Sequence, residues 1–433
     1  MRTVPTVDVL IAGGGPVGLA LAAHLRDRAC SVLVVEPRST PVDVPRAMHL
    51  DRPAVEQLAE LGVRWTVGVD LDRLEGVAFE AGGSRFPLVV GDLCPDALLP
   101  HAFHQPSLER QLWAIVQRSS IEHRTGWAVC GLQARPGAGA HPDRIAVQLA
   151  PAHTGSPERR PEVVEARLVV EARLVVEARL VVGCDGAAGA VRALAGIDGH
   201  RWAGPSWWHA EDHRLPHRRA DRVVRHHLGP APCTVVSGCG RHLRVERFLG
   251  AAPNLPVVRA SPPTAAGEPA LPGAATVFAS RCYRVTTRVA RRPARAFGDA
   301  AVILAGDAAH TVAPFLGQGL GLGLRDAALL AELVTASLTS PAGPGRTPGR
   351  TPGHTPTRTP TAAALAARYV DARRSDVRAT ALCSLAAQLL VERSASWSGC
   401  DPVGPARLIR ALRGLAGLRP SLVHRLALAS RQR

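Results

Sequence analysis

The run Val7-Asp8-Val9-Leu10-Ile11-Ala12-Gly13-Gly14-Gly15-Pro16-Val17-Gly18 lies close to the first residue of the chain. Its apolar first half ends at three glycines, and an alanine-rich stretch suited to a buried helix follows. A second apolar run, Ser31 to Glu36, comes directly after that stretch. The order of strand, turn, helix and strand predicts a βαβ unit with parallel strands.

The spacing Gly13-x-Gly15-x-x-Gly18 is typical of a turn that binds a pyrophosphate. Gly13 permits the tight turn, Gly15 lets the phosphates approach the backbone, and Gly18 lets the helix pack on the strand. Glu36 ends the second strand 21 residues after Gly15, where a carboxylate binds ribose hydroxyls. The sequence therefore predicts a dinucleotide site rather than a structural turn of an unrelated α/β fold.

A second glycine-rich block follows a third predicted strand, Ala300 to Ala305. It reads Gly306-Asp307-Ala308-Ala309-His310 and continues as Pro314-Phe315-Leu316-Gly317-Gln318-Gly319. A carboxylate beside glycine at a strand end suits hydrogen bonding to a polyol, and the later glycines let a loop lie against a flat ring. Leucines at helical spacing predict a long helix over roughly 320 to 339, whose positive end would face that ring.

These elements resemble the FAD-dependent aromatic-ring hydroxylases, the single-component flavoprotein monooxygenases typified by para-hydroxybenzoate hydroxylase. Three motifs match in order: the glycine fingerprint at 13 to 18, Gly183-Cys184-Asp185-Gly186 with Arg192, and the block from Gly306 through Asp326. The stretch His104-Gln105-Pro106-Ser107-Leu108-Glu109 resembles the phenylpropionate hydroxylase branch of the family. The likeness covers most of residues 1 to 340.

The resemblance implies particular contacts with the cofactor. Arg46, in Pro45-Arg46-Ala47, would lie near the FAD phosphates and ribose, Gln105 would contact the cofactor, and Asp307 would bind the ribityl chain. The backbone from Pro314 to Gly319 would contact the isoalloxazine, and the Asp185-Gly186 turn would serve FAD packing and the passing NAD(P)H. The predicted cofactor-binding residues are Gly13, Gly15, Pro16, Gly18, Glu36, Arg46, Gln105, Asp185, Gly186, Gly306, Asp307, Pro314, Gly317 and Gly319.

The reaction implied by the resemblance is hydroxylation of an aromatic substrate that is phenolic, phenylpropionate-like or a polyketide. FAD would be the cofactor, NAD(P)H the co-substrate and O₂ the oxidant, with oxygen delivered through a flavin hydroperoxide. Such cofactor chemistry leaves the protein to orient the substrate and exclude water. A basic group near the pocket is expected because a phenol becomes more nucleophilic when it loses its proton, but the sequence does not identify it.

The expected fold class is α/β: a Rossmann-type FAD-binding domain, a β-rich substrate domain inserted discontinuously, and a helical C-terminal part. The FAD-binding domain is expected at residues 1–71, 101–196 and 286–340, and the substrate domain at 72–100 and 197–285. A linker rich in Pro, Thr and Gly is expected at 341–361, where a proline at nearly every fourth position opposes both helix and sheet. A helical segment is expected at 362–433.

Several departures from the family pattern leave open a damaged or divergent enzyme. Gly189 stands where the family usually has serine, and Gly321 stands where an asparagine usually touches the flavin, so both remove hydrogen bonds. The region from His200 to Ser280, where the family builds its substrate sheet, is short and rich in Arg, His and Pro. Two alternatives therefore remain: a non-hydroxylating FAD oxidoreductase of the same fold, or a degenerate flavoprotein that acts as a basic binding protein.

Other candidate features carry weaker signals. His209 and His213 are four residues apart, which on a helix would suit zinc, but no third ligand is evident and no metal site is expected. His310 is expected to hydrogen-bond beside the cofactor rather than act as a base. Three tryptophans, Trp202, Trp207 and Trp208, suit an aromatic pocket and the core equally well.

The hexamer Val-Val-Glu-Ala-Arg-Leu occurs three times from Val163 to Leu180. Because six is even, each copy keeps the same side chains on the same face of a strand, whereas a helix would rotate each copy away. We expect one strand here, formed by the last copy, with the others as an extension that has no function of its own.

Composition narrows the function classes. The 433 residues carry a formal net charge of +16, but the arginines are spread through every segment, so no specific nucleic-acid partner is expected. No uninterrupted apolar stretch is long enough to span a bilayer, and no signal peptide is evident. Nine cysteines without a CxxC pair suggest free thiols in a reducing compartment, so a cytoplasmic protein is expected. The oligomeric state is not predicted.

Overall fold

A computed structural model describes residues 4–81, 84–88, 100–137, 142–152, 174–202, 205–220, 222–251, 275–338 and 361–396. The strands in these ranges are β1 (Thr6–Ala12), β2 (Val32–Glu36), β3 (His49–Leu50), β4 (Leu71–Arg73), β5 (Gly76–Ala81), β6 (Ser84–Leu88), β7 (His101–Phe103), β8 (Glu122–Thr125), β9 (Trp127–Arg135), β10 (Arg144–Pro151), β11 (Leu174–Gly183), β12 (Gly199–Arg201), β13 (Ser206–Arg214), β14 (Val223–His227), β15 (Cys233–Ser237), β16 (His242–Gly250), β17 (Thr276–Val285), β18 (Arg288–Ala290), β19 (Ala294–Phe297), β20 (Ala300–Leu304) and β21 (His310–Thr311). The α-helices are α1 (Pro16–Leu25), α2 (Arg52–Glu60), α3 (Gln105–Gln117), α4 (Val191–Leu194), α5 (Gly319–Leu338) and α6 (Ala362–Arg393).

An eight-stranded sheet forms the larger layer, with β19, β20, β11, β1, β2 and β8 in that order and β10 and β9 extending from β11. Strands β20, β11, β1, β2 and β8 run parallel to one another, as the βαβ pattern predicts. The two faces of this sheet are both covered. Val9 and Ile11 of β1 pack with the leucines of α1 and α5, whereas Leu10 and Ala12 pack with side chains of β9 and β10.

The last hexamer copy forms the middle of this sheet, as expected. Residues 175–180 lie in β11, which pairs in parallel with both β1 and β20. Val176, Ala178 and Leu180 are fully buried, so the period of two places apolar side chains inside the packed protein. The expected extension by the earlier copies, residues 163–173, lies outside the described residues.

A second sheet of seven strands, in the order β17, β13, β16, β15, β14, β5 and β6, lies next to the first. Its strands come from two parts of the chain, residues 76–88 and 206–285. All pairs are antiparallel except β14 with β5. The end of α6 packs here, where Leu390 and Val391 join Trp208 and Phe79 in one buried cluster.

The zinc hypothesis for His209 and His213 started from a helix, and that premise is wrong. Both residues lie in β13, an extended strand that pairs with β16 and β17. Four residues along a strand span about 13 Å, too far for two ligands of one ion. Polar residues on both faces of β13 hide the period of two that would have marked it as a strand.

Of the three tryptophans, Trp208 is a core residue. It is fully buried and its ring lies 5.4 Å from that of Phe248 and 5.1 Å from that of Phe315. Trp207 is half-buried in β13. Trp202 packs at the edge of a small cluster with Val377 of α6.

The C-terminal part is helical where it is described. The helix α6 covers 32 residues and buries Tyr369 and Arg373 against the larger sheet layer. The expected linker, 341–361, lies outside the described residues except for Thr361, which caps the N-terminus of α6, and residues 397–433 of the expected helical segment also lie outside them. In the described part no helix combines the length and the apolar character needed to span a membrane. None of the seven cysteines described forms a disulfide.

Candidate active site

A cavity of about 540 Å³ lies between the two sheets. On one side it is bounded by the carboxyl ends of the parallel strands β1, β2, β11 and β20, where ligands bind in open α/β sheets. On the other side it is bounded by β14, β15 and β16 of the seven-stranded sheet. Every residue predicted to bind the cofactor lines this cavity except Gly18.

The glycines of the first motif differ in the space around them. Gly13 has a φ of +109°, which favours glycine, and a Cβ there would lie 2.4 Å from the Cys184 carbonyl oxygen. A Cβ on Gly18 would lie 2.0 Å from the Gly13 carbonyl oxygen, so Gly18 is needed for helix packing. Nothing lies within 4 Å of a Cβ built on Gly15. Gly15 therefore leaves open space at the N-terminus of α1, where no side chain caps the free N–H groups.

Because Gly15 faces open space and Gly18 is tightly packed, alanine at the two positions is expected to affect different properties. Gly15→Ala is expected to leave the apoprotein's melting temperature unchanged but to weaken FAD binding at least tenfold, because the methyl group enters the space for the pyrophosphate. Gly18→Ala is expected to lower the stability of the apoprotein itself. Thermal unfolding without FAD and titration with FAD measure the two effects. Unchanged FAD affinity in Gly15→Ala would place the pyrophosphate elsewhere.

Glu36 is a buried carboxylate fixed at the edge of the cavity. Its Oε2 accepts a hydrogen bond from the Gly14 N–H at 2.6 Å, and its Oε1 accepts one from Arg38 Nε at 2.7 Å. Arg38 also donates to Glu109 at 3.0 Å. The predicted ribose ligand is thus oriented by its neighbours. Sequence reasoning missed Arg38, although it follows Glu36 by only two residues.

Gln105 holds the loop that carries Arg46. Its Oε1 accepts hydrogen bonds from the backbone N–H groups of Arg46 at 2.8 Å and Ala47 at 2.7 Å. From the other side, Arg244 of β16 donates to the carbonyl oxygens of Arg46 and Pro45 at 2.8 and 2.5 Å. The loop is therefore fixed between α3 and the seven-stranded sheet, and its position depends on both.

Asp307 presents its carboxylate to the cavity. The side chain is exposed to this space although the residue lies deep in the protein, and no described residue donates a hydrogen bond to it. Burial raises the pKa of Asp307, and the positive charges of His310 and Arg46 oppose that rise. A carboxylate that faces a cavity and has no protein donor suits a ligand that brings its own hydroxyl groups.

The loop from Pro314 to Gly319 forms the wall beside Asp307. Gly317 has a φ of +62°, and a Cβ there would lie 2.8 Å from His49 Cβ, so the turn requires glycine. The long helix α5 begins at Gly319, as predicted, and Gly319 lines the cavity. The positive end of its dipole therefore points toward the space beside this loop.

His310 hydrogen-bonds to a buried carboxylate, but it is not among the residues that line the cavity. Its Nε2 lies 2.6 Å from Asp326 Oδ2, which also accepts the Gly306 N–H at 2.9 Å. Arg373 of α6 donates to Asp326 Oδ1 at 2.6 Å. Burial alone would raise the pKa of Asp326, but the charges of His310 and Arg373 bring it down to about 2. This network connects the C-terminal helix to the turn that carries Asp307.

Carboxylates fill the space at both departures from the family pattern. A Cβ on Gly189 would lie 2.0 Å from Asp185 Cγ, and Asp185 Oδ2 accepts the N–H of Val191 at 2.9 Å. A Cβ on Gly321 would lie 3.0 Å from Asp51 Oδ2, which accepts from Arg325 at 2.7 Å. At both positions an acidic side chain that accepts a hydrogen bond lies where the side chain of a larger residue would begin.

Sequence reasoning missed the residues that the seven-stranded sheet contributes to the cavity. They are Val224, His226, Thr234, Val236, Arg244 and Glu246. None of these strands carries a motif, and their polar and apolar residues do not alternate regularly, so no local signal marks the cavity residues. Only the pairing of β14, β15 and β16 brings them to one face.

The cavity fits FAD on structural grounds. Gly15 and Gly186 both face open space, so a phosphate or ring can approach the backbone at either position. The uncapped N-terminus of α1 suits the pyrophosphate, and the Asp307 carboxylate suits the ribityl hydroxyls. All these groups line one continuous space, as a single extended ligand requires.

Comparison with known proteins supports the same cofactor. Residues 6–136 and 263–347 match a family model described as an FAD binding domain. A 12-dehydrotetracycline 5-monooxygenase/anhydrotetracycline 6-monooxygenase from Streptomyces rimosus is 29% identical, over 78% of this chain and 64% of that relative. A 3-(3-hydroxy-phenyl)propionate/3-hydroxycinnamic acid hydroxylase from a Mycobacterium species is 27% identical, over 78% of this chain and 55% of that relative. The chain thus spans less than two thirds of the length of both relatives.

The fold is also shared with a solved structure. The crystal structure of a p-nitrophenol 4-monooxygenase from Pseudomonas putida superposes with a TM-score of 0.70, covering 97% of this chain and 98% of that one at 21% identity. The matched family model, the order of the motifs and this fold agree with one another. The chain therefore carries an FAD-binding domain, and FAD is its cofactor.

Proposed function

We propose that this protein is an FAD- and NAD(P)H-dependent monooxygenase that hydroxylates an aromatic substrate, either phenolic, phenylpropionate-like or a polyketide. One observation carries the proposal: a single cavity joins the cofactor motifs at the edge of the parallel sheet to one face of the seven-stranded sheet. Cofactor and substrate would meet inside this space. The relatives described above, which act on a dehydrotetracycline and on a hydroxyphenylpropionate, support this substrate range.

The proposed domains correspond to these two roles, cofactor binding and substrate binding. Residues 1–71, 101–196 and 286–340 would bind FAD, and residues 72–100 and 197–285 would form a substrate domain inserted in two pieces. The two-part origin of the seven-stranded sheet supports the discontinuous insertion. Within the FAD-binding part, the glycine turn would hold the pyrophosphate, Glu36 the ribose and Asp307 the ribityl chain.

FAD, when bound and reduced by NAD(P)H, supplies the activation of O₂. The protein's own residues would orient the two ligands and keep water out. The N-terminus of α5 would favour negative charge on the adjacent ring. Phe315, in the loop beside that ring, packs against Trp208 and so connects the loop to the seven-stranded sheet.

The test is turnover by the FAD-loaded protein with NADH or NADPH and a panel of phenols. We expect phenols to stimulate NAD(P)H oxidation, but with loose coupling, so that much of the electron flow appears as hydrogen peroxide. The physical reason is the short substrate region, which should leave the reacting ring more accessible to water. NAD(P)H consumed, peroxide formed and hydroxylated product are measured together. Absence of phenol-stimulated oxidation across the panel, with FAD bound, would contradict the proposal.

A further inference from the structure

Three polar side chains stand in one row on the cavity face of the seven-stranded sheet. The strand register pairs His226 of β14 with Thr234 of β15, and Thr234 with Glu246 of β16. All three line the cavity. The next residue across the sheet is Ala210 of β13, whose small side chain leaves room beside Glu246. The row therefore offers polar contacts on the wall opposite the cofactor motifs.

Glu246 is a buried carboxylate whose ion pair with Arg244 is too long to be a hydrogen bond. It is 7% exposed, and Arg244 Nη1 lies 3.8 Å from its Oε1, beyond hydrogen-bond range. Arg244 is instead engaged with Asp212, at 2.7 Å, and with the carbonyl oxygens of the Arg46 loop. The Tyr283 hydroxyl is buried beside Glu246 without forming a well-aligned hydrogen bond. Glu246 therefore retains the capacity to accept a proton from a ligand.

The electrostatic surroundings make this carboxylate more basic than an exposed one. Burial raises the pKa of Glu246; Arg244 is the largest of the groups that oppose the rise, and Asp212 adds to it. The charged and titratable groups that act on it are Arg244 on its own strand, Arg281 and Tyr283 on β17, and Asp212 on β13, whereas Thr234 separates it from His226 of β14. A carboxylate with a raised pKa is a better base near neutral pH.

His226 is the other titratable group of the row, but it is a poor base. Burial lowers its pKa to about 3, and its Nδ1 lies 2.9 Å from Thr234 Oγ1. Its ring stacks on Phe79 and contacts Phe315 of the loop beside the cofactor space. His226 thus acts as a neutral part of the wall, and Glu246 is left as the proton acceptor.

We propose that Glu246 is a catalytic residue that takes the proton from the aromatic hydroxyl group of the substrate. In this step the phenolic O–H bond breaks, an O–H bond forms on the Glu246 carboxylate, and the electron pair stays on the substrate oxygen. The resulting phenolate is more electron-rich and therefore a better nucleophile toward an electrophilic oxygen. The inference rests on the proposed function, and it supplies the basic group that the sequence did not identify.

The first test compares phenol with 4-nitrophenol, which is largely ionised in water at about pH 8 and does not need a base. In Glu246→Gln, the kcat/KM for hydroxylated product is expected to fall about a hundredfold with phenol as the substrate. With 4-nitrophenol the loss is expected to be threefold or less. Glu246→Asp should restore part of the activity toward phenol. Equal losses with both phenols, or no loss with either, would overturn the proposal.

The second test needs no turnover. When 4-nitrophenolate binds to the FAD-loaded protein at about pH 8, its negative charge lies close to that of the Glu246 carboxylate. The phenolate and the carboxylate should therefore take up one proton from the solution and share it. A pH indicator in weak buffer should report this uptake in the wild type and its loss in Glu246→Gln. Equal proton uptake by both proteins would contradict the role of Glu246. If the wild type hydroxylates neither phenol, the proposed function fails for these substrates, while proton uptake still decides the inference.

Glu211→Gln is the matched control. Glu211 is also 7% exposed and belongs to the same sheet, but it is not among the residues that line the cavity, and it pairs with Arg247 at 2.6 Å. The same chemical change there should leave the ratio of the phenol and 4-nitrophenol rates unchanged. If Glu211→Gln changed the ratio of the phenol and 4-nitrophenol rates as much as Glu246→Gln does, the effect would come from the charge of the sheet in general. That result would overturn the assignment of Glu246 as the base.

Discussion

Asp307→Ala is expected to weaken FAD binding by about ten- to a hundredfold. Its carboxylate faces the cavity and has no hydrogen-bond donor among the described residues, so the ribityl hydroxyls would be its partners. A hydrogen bond to a charged group is worth about 1.5–3 kcal/mol, which corresponds to that range of affinity. Removing the carboxylate leaves those hydroxyls buried without an acceptor.

FAD retained through gel filtration and a titration of the apoprotein measure this effect. Asp307→Asn, which keeps one acceptor oxygen, should lie between the wild type and Asp307→Ala. The control is Asp27→Ala, because the Asp27 side chain is 83% exposed and lies on the protein surface. Affinity of Asp307→Ala equal to that of the control would refute the assignment of Asp307 to the cofactor.

Asp326→Ala is expected to lower the free energy of unfolding by about 3–5 kcal/mol, because it removes one partner of a buried ion pair. Asp326 is fully buried and accepts hydrogen bonds from Gly306, His310 and Arg373. Its removal leaves the buried Arg373 guanidinium, 7% exposed, with Asp376 as its remaining carboxylate partner. Because Gly306 precedes Asp307, we also expect weaker FAD retention as a secondary effect.

Urea unfolding of the apoprotein measures this loss. Asp27→Ala again serves as the control, since its exposed pair with Arg26 should contribute less than about 1 kcal/mol. If Asp326→Ala does not accumulate as folded protein, Asp326→Asn retains an acceptor for the Gly306 N–H and is measured instead. A loss no larger than in the control would show that the network does not stabilise the fold.

The same carboxylate predicts how stability depends on pH. The folded-state pKa of Asp326, about 2, is lower than that of an Asp in an unfolded chain, about 4. Its contribution is therefore complete above about pH 4 and is lost as the pH falls toward 2. Asp326→Asn should show a shallower loss of stability than the wild type in that window.

The cofactor side of the cavity could be predicted from sequence because its residues act locally. Gly13, Gly306 and Gly317 adopt positive φ angles that favour glycine, so their spacing marks a turn without knowledge of the rest of the chain. Glu36 is the last residue of the buried strand β2, and Asp307 comes shortly after the buried strand β20. Both residues therefore lie at the carboxyl edge of the sheet. At these positions the residue type and the place in the sheet both indicate a binding site.

The substrate side could not be predicted because it depends on pairing between distant strands. Glu246 and Thr234 face the cavity together only through the register of β15 with β16. Charged residues in a sequence usually indicate surface positions, but Asp212 and Arg244 form a buried ion pair between two strands. Their charge therefore gave no sign that these strands are buried. The same burial of charge made β13 look unlike a strand, and His209 and His213 were read at helical spacing for that reason.

Transfer of oxygen from O₂ to the substrate tests the central claim most directly. The FAD-loaded protein is incubated with NAD(P)H, a phenol that stimulates oxidation and O₂ enriched in heavy oxygen, and the product is examined by mass spectrometry. The account predicts a hydroxylated phenol that carries one heavy oxygen atom, in an amount smaller than the NAD(P)H consumed. NAD(P)H oxidation that ends entirely in hydrogen peroxide, or a product whose new oxygen comes from water, would contradict it.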